Sequence, residues 1–318
     1  MKTTKVKTMR DAIIEEISNQ MEDDGKIFFL TADMGAPTLD KLRQRHPDRF
    51  INVGIAEQNL VNVCTGLALE GFTVYGYAIA AFLSMRAYEQ IRNNLALLGD
   101  HKELNVNLLG IGAGVSYDMS GPSHHCLEDI SIIRTLPNIS FFSPSDWVMA
   151  HRFVEHSMRF KRSKYIRLDS KALPNIYEEK NQFDWKVGFV ELKKGKDVCI
   201  ISTGITTHKS LQIINELSKE NINAGLIDLF MLKTFDKELL LKILSNYKMV
   251  VTIEEGFIDK GGLDSIIANL KVYNQANFKL KNFGFSDSYI FQQGNREFLS
   301  ERHGFGVNDI IKGIKNNQ

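Results

Sequence analysis

With three cysteines, six prolines and two tryptophans in 318 residues, the chain has little raw material for a cross-linked or proline-stiffened scaffold. Cys64, Cys126 and Cys199 are far apart and flanked by apolar residues, which gives neither a disulfide framework nor a zinc pattern. Reduced side chains in the core of an intracellular protein are the expected state. Nowhere do roughly 18 apolar residues run together, so no membrane-spanning helix is expected. A charge surplus is missing too. The 39 basic and 38 acidic residues leave a net +1, so no electrostatic case exists for a nucleic-acid or membrane partner. The start, MKTTKVKTMRDAIIEE, has basic residues but no apolar core before its acids, and does not read as a signal peptide. A cytoplasmic location is expected.

Several signatures are absent. The run 110-GIGAGV-115 has Val115 where a dinucleotide finger needs its third glycine, and a β-branched side chain there obstructs the close helix–strand approach. The run 256-GFIDKGG-262 has Gly262 where a phosphate loop needs lysine, and no G-x-S-x-G elbow exists. His124 and His125 lack a second ligand cluster at zinc-like spacing, so no metal is expected on this chain.

What is present is an ordinary globular composition, 43% hydrophobic and 24% charged, over a length that suits two domains. Short apolar runs alternate with helical-period segments: 27–32, a helix of about 56–70 closed by Gly71, strands near 73–77, 105–110, 139–143 and 165–168, with helices near 84–98, 125–135 and 145–160. From about 171 the pattern breaks into a polar, irregular stretch. A second series follows, with strands near 197–203, 225–230, 248–255 and 278–283 and helices near 207–219, 236–246, 262–270 and 308–315. The expected fold is α/β, two doubly wound domains with mainly parallel sheets. Their boundaries are 1–172 and 195–318, joined by a linker over 173–194.

One carboxylate stands out. In 52-NVGIAEQN-59, Glu57 falls where a helix begins, and a first-turn acid is favoured by free N–H groups alone. That structural explanation competes with a functional one. Gly54, Ile55 and Ala56 give an apolar, close-packed setting in which a carboxyl's proton affinity rises. Phe82 follows the small-residue strand end 77-YAIAA-81 and is placed to turn its ring to a ligand; an ordinary core phenylalanine is the alternative. The loop 120-SGPSHH-125 sets two imidazoles behind a Gly-Pro turn. Strand-to-helix loops of this kind line the ligand crevice of α/β sheets.

The stretches RFINVGIAEQNLVNVCTGLALEGF, FLSMRAYEQIR and GPSHHCLEDISIIRTLPNISFFSPSD closely resemble the pyrimidine-binding domain of transketolases. STGITTHKSLQIINEL, VVTIEEGF and GGL resemble the domain that follows it in that family. The resemblance covers essentially the whole chain and implies a thiamine diphosphate enzyme. Glu57 matches the family glutamate that hydrogen-bonds N1′ of the aminopyrimidine, a contact that promotes the imino tautomer and loss of the thiazolium C2 proton. Phe82 matches the aromatic residue stacked on the pyrimidine. Ile79 stands where the family has its first pyrimidine-side aromatic, and the resemblance puts Asp33 on the cofactor side as well.

The resemblance also marks departures. Gly112 stands where many members have a phosphate-binding histidine, and Ser120 where they have an aspartate for a substrate hydroxyl. Ser170, beside Lys171, stands in for a phosphate-binding arginine. His124 matches the histidine that contacts the donor's oxygen, and His125 replaces a glutamine. The family's metal and diphosphate signature, G-D-G…N, is lacking; 99-GDH-101 is the nearest stretch. The chain therefore looks like the C-terminal subunit of a split transketolase. A separate N-terminal subunit is expected to carry the diphosphate and its Mg2+ or Ca2+, with self-association of this chain as a dimer within a heterotetramer. The implied reaction transfers a two-carbon ketol unit between sugars. The alternatives are the β subunit of a 2-oxo acid dehydrogenase, a 1-deoxyxylulose-5-phosphate synthase-like enzyme, and a silent stabilising partner.

Overall fold

The structure, a computed structural model, describes residues 5–317. Two compact units divide the chain. One comprises Met1–Ala113 and Ile132–Gln182, the other Gly114–Ser131 and Phe183–Gln318. The segment 114–131, expected within the first domain, thus clusters with the second unit.

In the first unit, strand β1 (Val6–Thr8) precedes a six-stranded sheet of β2 (Ile27–Thr31), β3 (Phe50–Asn52), β4 (Thr73–Ile79), β5 (Val106–Ile111), β6 (Ser140–Phe142) and β7 (Lys164–Leu168). Their order is β3-β2-β4-β5-β7-β6, and every neighbouring pair is parallel. A short β8 (Ala172–Pro174) pairs antiparallel with β1. β5 and β7 are buried along their whole length, as strands covered on both faces must be. The doubly wound α/β class expected from the alternating pattern is what the chain adopts. Helix Met9–Asp23, whose stripe of Met9, Ile13, Ile14, Ile17 and Met21 is fully buried, packs against helix Trp147–Arg159. Both helices begin with a side-chain cap, from Thr8 and Asp146.

The second unit holds a five-stranded sheet: β9 (Phe189–Lys193), β10 (Val198–Ser202), β11 (Ala224–Leu229), β12 (Met249–Phe257) and β13 (Lys279–Phe285), in the order β13-β12-β10-β11-β9. Only β9 runs antiparallel, against β11. Its core joins Val198, Ile200, Leu226, Val251 and Ile253 to Val115 and Leu127 of the inserted segment.

Several elements depart from the expected ones, the short strands β1 and β3 among them. The stretch 173–194 contains β9 and most of β8. Helices Pro37–Arg45 and Arg296–Arg302 were not expected. The helix expected over 125–135 is shorter, Asp129–Arg134. The one expected over 84–98 contains two π-helical segments, Phe82–Arg86 and Ile91–Leu97, and such wide turns concentrate at functional sites. The three cysteines are free and buried. Among the described residues, no helix is long and apolar enough to cross a membrane.

Candidate active site

In the first sheet the chain leaves β2 toward β3 on one side and β4 on the other, so a topological switch point lies beside β2. Ligands of open α/β sheets bind at the carboxyl ends of strands at such a point. Asp33 follows β2, Glu57 follows β3, Ile79 and Phe82 stand at the end of β4, Gly112 follows β5, and Ser170 and Lys171 follow β7. Parallel pairing brings all seven positions to the same edge of the sheet.

Glu57 is the first residue of helix Glu57–Leu69. The chain reaches it through Gly54, whose φ of +77° is open to glycine, and whose N–H donates to Asn52 Oδ1 at 3.0 Å. No side chain caps the helix, which leaves the Glu57 carboxylate as the acid of its first turn. Gly71, at φ +86°, closes the other end, as expected. Glu57 is only 3% exposed, but the expected apolar enclosure by its neighbours is not the cause: Ile55 is 77% exposed. The carboxylate instead has a counter-charge. Arg86 Nη1 donates to Glu57 Oε2 at 2.6 Å, and the same guanidinium lies 4.7 Å from the centre of the half-buried Phe82 ring. Phe82 and Arg86 are four residues apart on one π-helical segment, which keeps them on one side of it. Arg86 escaped the sequence reading, since its role depends on that wide turn and on a partner 29 residues away.

Asp33 is exposed at φ +54°, and exchanges two hydrogen bonds with Asn52: its N–H donates to Oδ1 at 3.1 Å, and Asn52 Nδ2 donates to its carboxylate at 2.9 Å. Ile79 is half-buried. The Gly112 N–H donates to Leu168 O at 2.9 Å, which ties it to the strand end that leads to Ser170 and the exposed Lys171.

The remaining candidates, Ser120, His124 and His125, lie on the segment that belongs to the second unit. Ser120 is exposed. His124 is half-buried, with Nδ1 3.1 Å from Ser123 Oγ and its ring edge-on to Tyr117 at 6.4 Å. His125 is 3% exposed, and burial pushes its imidazole below the ordinary value against the pull of the Glu255 and Asp118 carboxylates. Among the described residues, no three His, Cys, Asp or Glu side chains are grouped to hold a metal ion.

The family model for the transketolase pyrimidine-binding domain matches residues 5–175, and that for the transketolase C-terminal domain matches 189–310. The chain belongs to the transketolase family. Curated relatives include one subunit of the apulose-4-phosphate transketolase of Actinobacillus succinogenes, 30% identical over 83% of both chains. Another is a subunit of the 6-deoxy-6-sulfo-D-fructose transketolase of a Clostridium species, 29% identical over 96% of this chain and 92% of its own. A solved split-gene transketolase, in an inactive β4 tetramer, superposes with a TM-score of 0.87 at 31% identity, covering 97% of each chain. The transketolase of Campylobacter jejuni shares the fold at 20% identity with a TM-score of 0.81, and this chain spans 47% of it. For a transketolase-family chain, thiamine diphosphate is the cofactor that the domains imply.

Proposed function

We propose that this chain is the pyrimidine-binding subunit of a two-chain, thiamine diphosphate-dependent transketolase that moves a two-carbon ketol unit from a ketose to an aldose acceptor. The observation that carries the reading is Glu57, a buried carboxylate at the switch-point edge, joined through one guanidinium to a half-buried aromatic ring. These residues fit the aminopyrimidine half of the cofactor, which needs an acceptor for a ring N–H and an aromatic face. When bound, thiamine diphosphate supplies an acidic C–H whose loss gives the nucleophile for the donor's carbonyl carbon. Glu57 holds a proton at the pyrimidine N1′, where burial keeps bulk water out of the exchange. Phe82 fixes the plane of the ring, with Ile79 and Asp33 on the same strand ends. His124, its ring set by Ser123 and Tyr117, meets the donor's oxygen, with His125 behind it.

The diphosphate and its Mg2+ or Ca2+ are assigned to a separate N-terminal subunit, and two copies of each chain form the active assembly. Supporting this, the chain covers most of the length of relatives named as single subunits, and the β4 tetramer of the solved relative is inactive. The names of those relatives favour a transketolase over a 2-oxo acid dehydrogenase.

Gly112, Ser120 and Ser170 offer no charge to a sugar phosphate. A lost charge-assisted hydrogen bond costs about 1.5–3 kcal/mol, or one to two powers of ten in affinity. The acceptor is therefore an unusual or modified sugar. The test is co-purification with the partner subunit, mass measurement of the complex, and a screen of donors and acceptors with thiamine diphosphate and magnesium. Two-carbon transfer by a two-plus-two assembly is expected. No transfer from any ketose would sink the reaction, and efficient turnover of xylulose 5-phosphate with ribose 5-phosphate would sink the substrate assignment.

A further inference from the structure

The loop that carries Ser120, His124 and His125 is closed at its neck, where Gly114 and Cys126 exchange both backbone hydrogen bonds, at 3.1 and 2.8 Å. Within the loop, Ser120 and Ser123 are exposed while His125 is buried, so the imidazoles stand where the neck of the loop carries them. The neck is gripped from β12. Glu255, 1% exposed, accepts the Val115 N–H on Oε2 at 3.1 Å, while its Oε1 lies 3.1 Å from Arg296 Nε. The approach is close enough to require glycine: a Cβ on Gly114, already at φ +59°, would come 2.1 Å from Glu255 Oε2. Arg296 adds a second grip, since its backbone N–H donates to Oδ2 of the buried Asp118 at 3.2 Å. Past the neck, the Phe257 N–H donates to Leu127 O at 3.3 Å.

A buried ion pair is a poor way to gain stability, because apolar side chains of similar volume often do as well. What it supplies is direction. One carboxylate that accepts a loop N–H and faces a guanidinium fixes the angle of the neck as well as its distance. We infer that Glu255 and Arg296 are positioning residues, through which the C-terminal domain sets the placement of His124 and His125. The inference rests on the proposed function for the role of those imidazoles. Glu255 acts on the imidazoles through the loop it holds and through its charge on buried His125.

The test compares wild type, Glu255→Ala and Glu255→Gln in the full chain by amide hydrogen exchange, then in the assembly with its partner by steady-state kinetics. Losing the charged acceptor should speed exchange over residues 115–126 about tenfold or more in Glu255→Ala, with Glu57–Leu69 unchanged. In the assembly, thiamine diphosphate affinity should hold while the donor KM rises and kcat falls. Glu255→Gln keeps an oxygen for the Val115 N–H and should recover most of the loop protection. If Glu255→Ala does not fold, Asp118→Ala, which releases the second grip together with the Met119 N–H that Asp118 Oδ1 accepts at 3.0 Å, should give the same pattern. Wild-type protection of the loop in the altered chain, or cofactor affinity falling in step with turnover, would overturn the inference. The two readings separate cleanly. A loosened loop in a chain whose wild-type assembly transfers nothing sinks the proposed function and keeps the grip; an unchanged loop with normal transfer does the reverse.

Discussion

Replacing Arg86 with methionine removes the guanidinium from Glu57 while leaving an apolar stem near Phe82. The two ends of this ion pair differ: Glu57 is 3% exposed and the Arg86 side chain 44%. Breaking a fully buried pair costs about 3–5 kcal/mol, and exposed pairs are worth about 0.2–1 kcal/mol. With the carboxylate buried and the cation wet, a loss of about 1–3 kcal/mol is expected for Arg86→Met. For a domain of about 150–250 residues that lowers Tm by roughly 2–12 °C. Glu57→Gln leaves the arginine able to turn to water, and should cost about 1 kcal/mol or less. The double variant then has no buried charge to strand, and should be no less stable than Glu57→Gln within about 0.5 kcal/mol. Calorimetry of the four chains at one pH and ionic strength measures this cycle. Losses that simply add would mean that Arg86 does not neutralise Glu57.

Phe82→Ala should weaken thiamine diphosphate binding to the assembled enzyme about 2- to 12-fold, the worth of one aromatic stack at roughly 0.5–1.5 kcal/mol; titration calorimetry reads it, and unchanged affinity would return Phe82 to ordinary packing. His156 is held down to about 4 by burial and by the charge of Lys164. The unfolded chain, with an ordinary value of about 6.5, therefore takes up this proton first. Stability should fall as pH drops from about 6.5 toward 4, and His156→Gln should flatten that part of the curve; identical pH profiles of Tm would contradict it. A Cβ on Gly110 would stand 2.5 Å from the hydroxyl oxygen of fully buried Tyr165, so Gly110→Ala should cost about 1–3 kcal/mol. Only part of it should return in the double variant with Tyr165→Phe, since the ring Cζ, at 2.9 Å from that Cβ, remains; urea unfolding measures this, and no recovery would place the strain elsewhere.

The legible parts of the fold were those that local pattern dictates. Buried strands such as Val106–Ile111 and Val198–Ser202 are short, mostly apolar runs, and helix Glu57–Leu69 is framed by Gly54 and Gly71. Elements that owe their existence to partners were not legible. β9 sits in a polar stretch and forms only because β11 offers an open edge. Helix Pro37–Arg45 starts at Ala36 without a capping side chain. The site follows the same division. Glu57 and Phe82 stand on local signals, whereas Arg86 depends on a π-helical turn and Glu255 on a contact 140 residues away in the chain. The adjacent acids in 252-TIEEGF-257 are a visible signal, but nothing near them in sequence says which loop they hold.

The central claim is that Glu57 handles the cofactor's proton, and C2 proton exchange of bound thiamine diphosphate tests it most directly. The measurement is made by NMR on the chain assembled with its partner, wild type against Glu57→Gln, at saturating cofactor. Glutamine keeps the size of the side chain and can still hydrogen-bond N1′, but it has no proton to share. A general acid–base group contributes about 10²–10⁴-fold, so exchange should slow by that factor while the variant stays folded and assembled. Equal exchange rates in the two proteins would mean that Glu57 is only a first-turn charge paired with Arg86, and that the cofactor is activated by some other group.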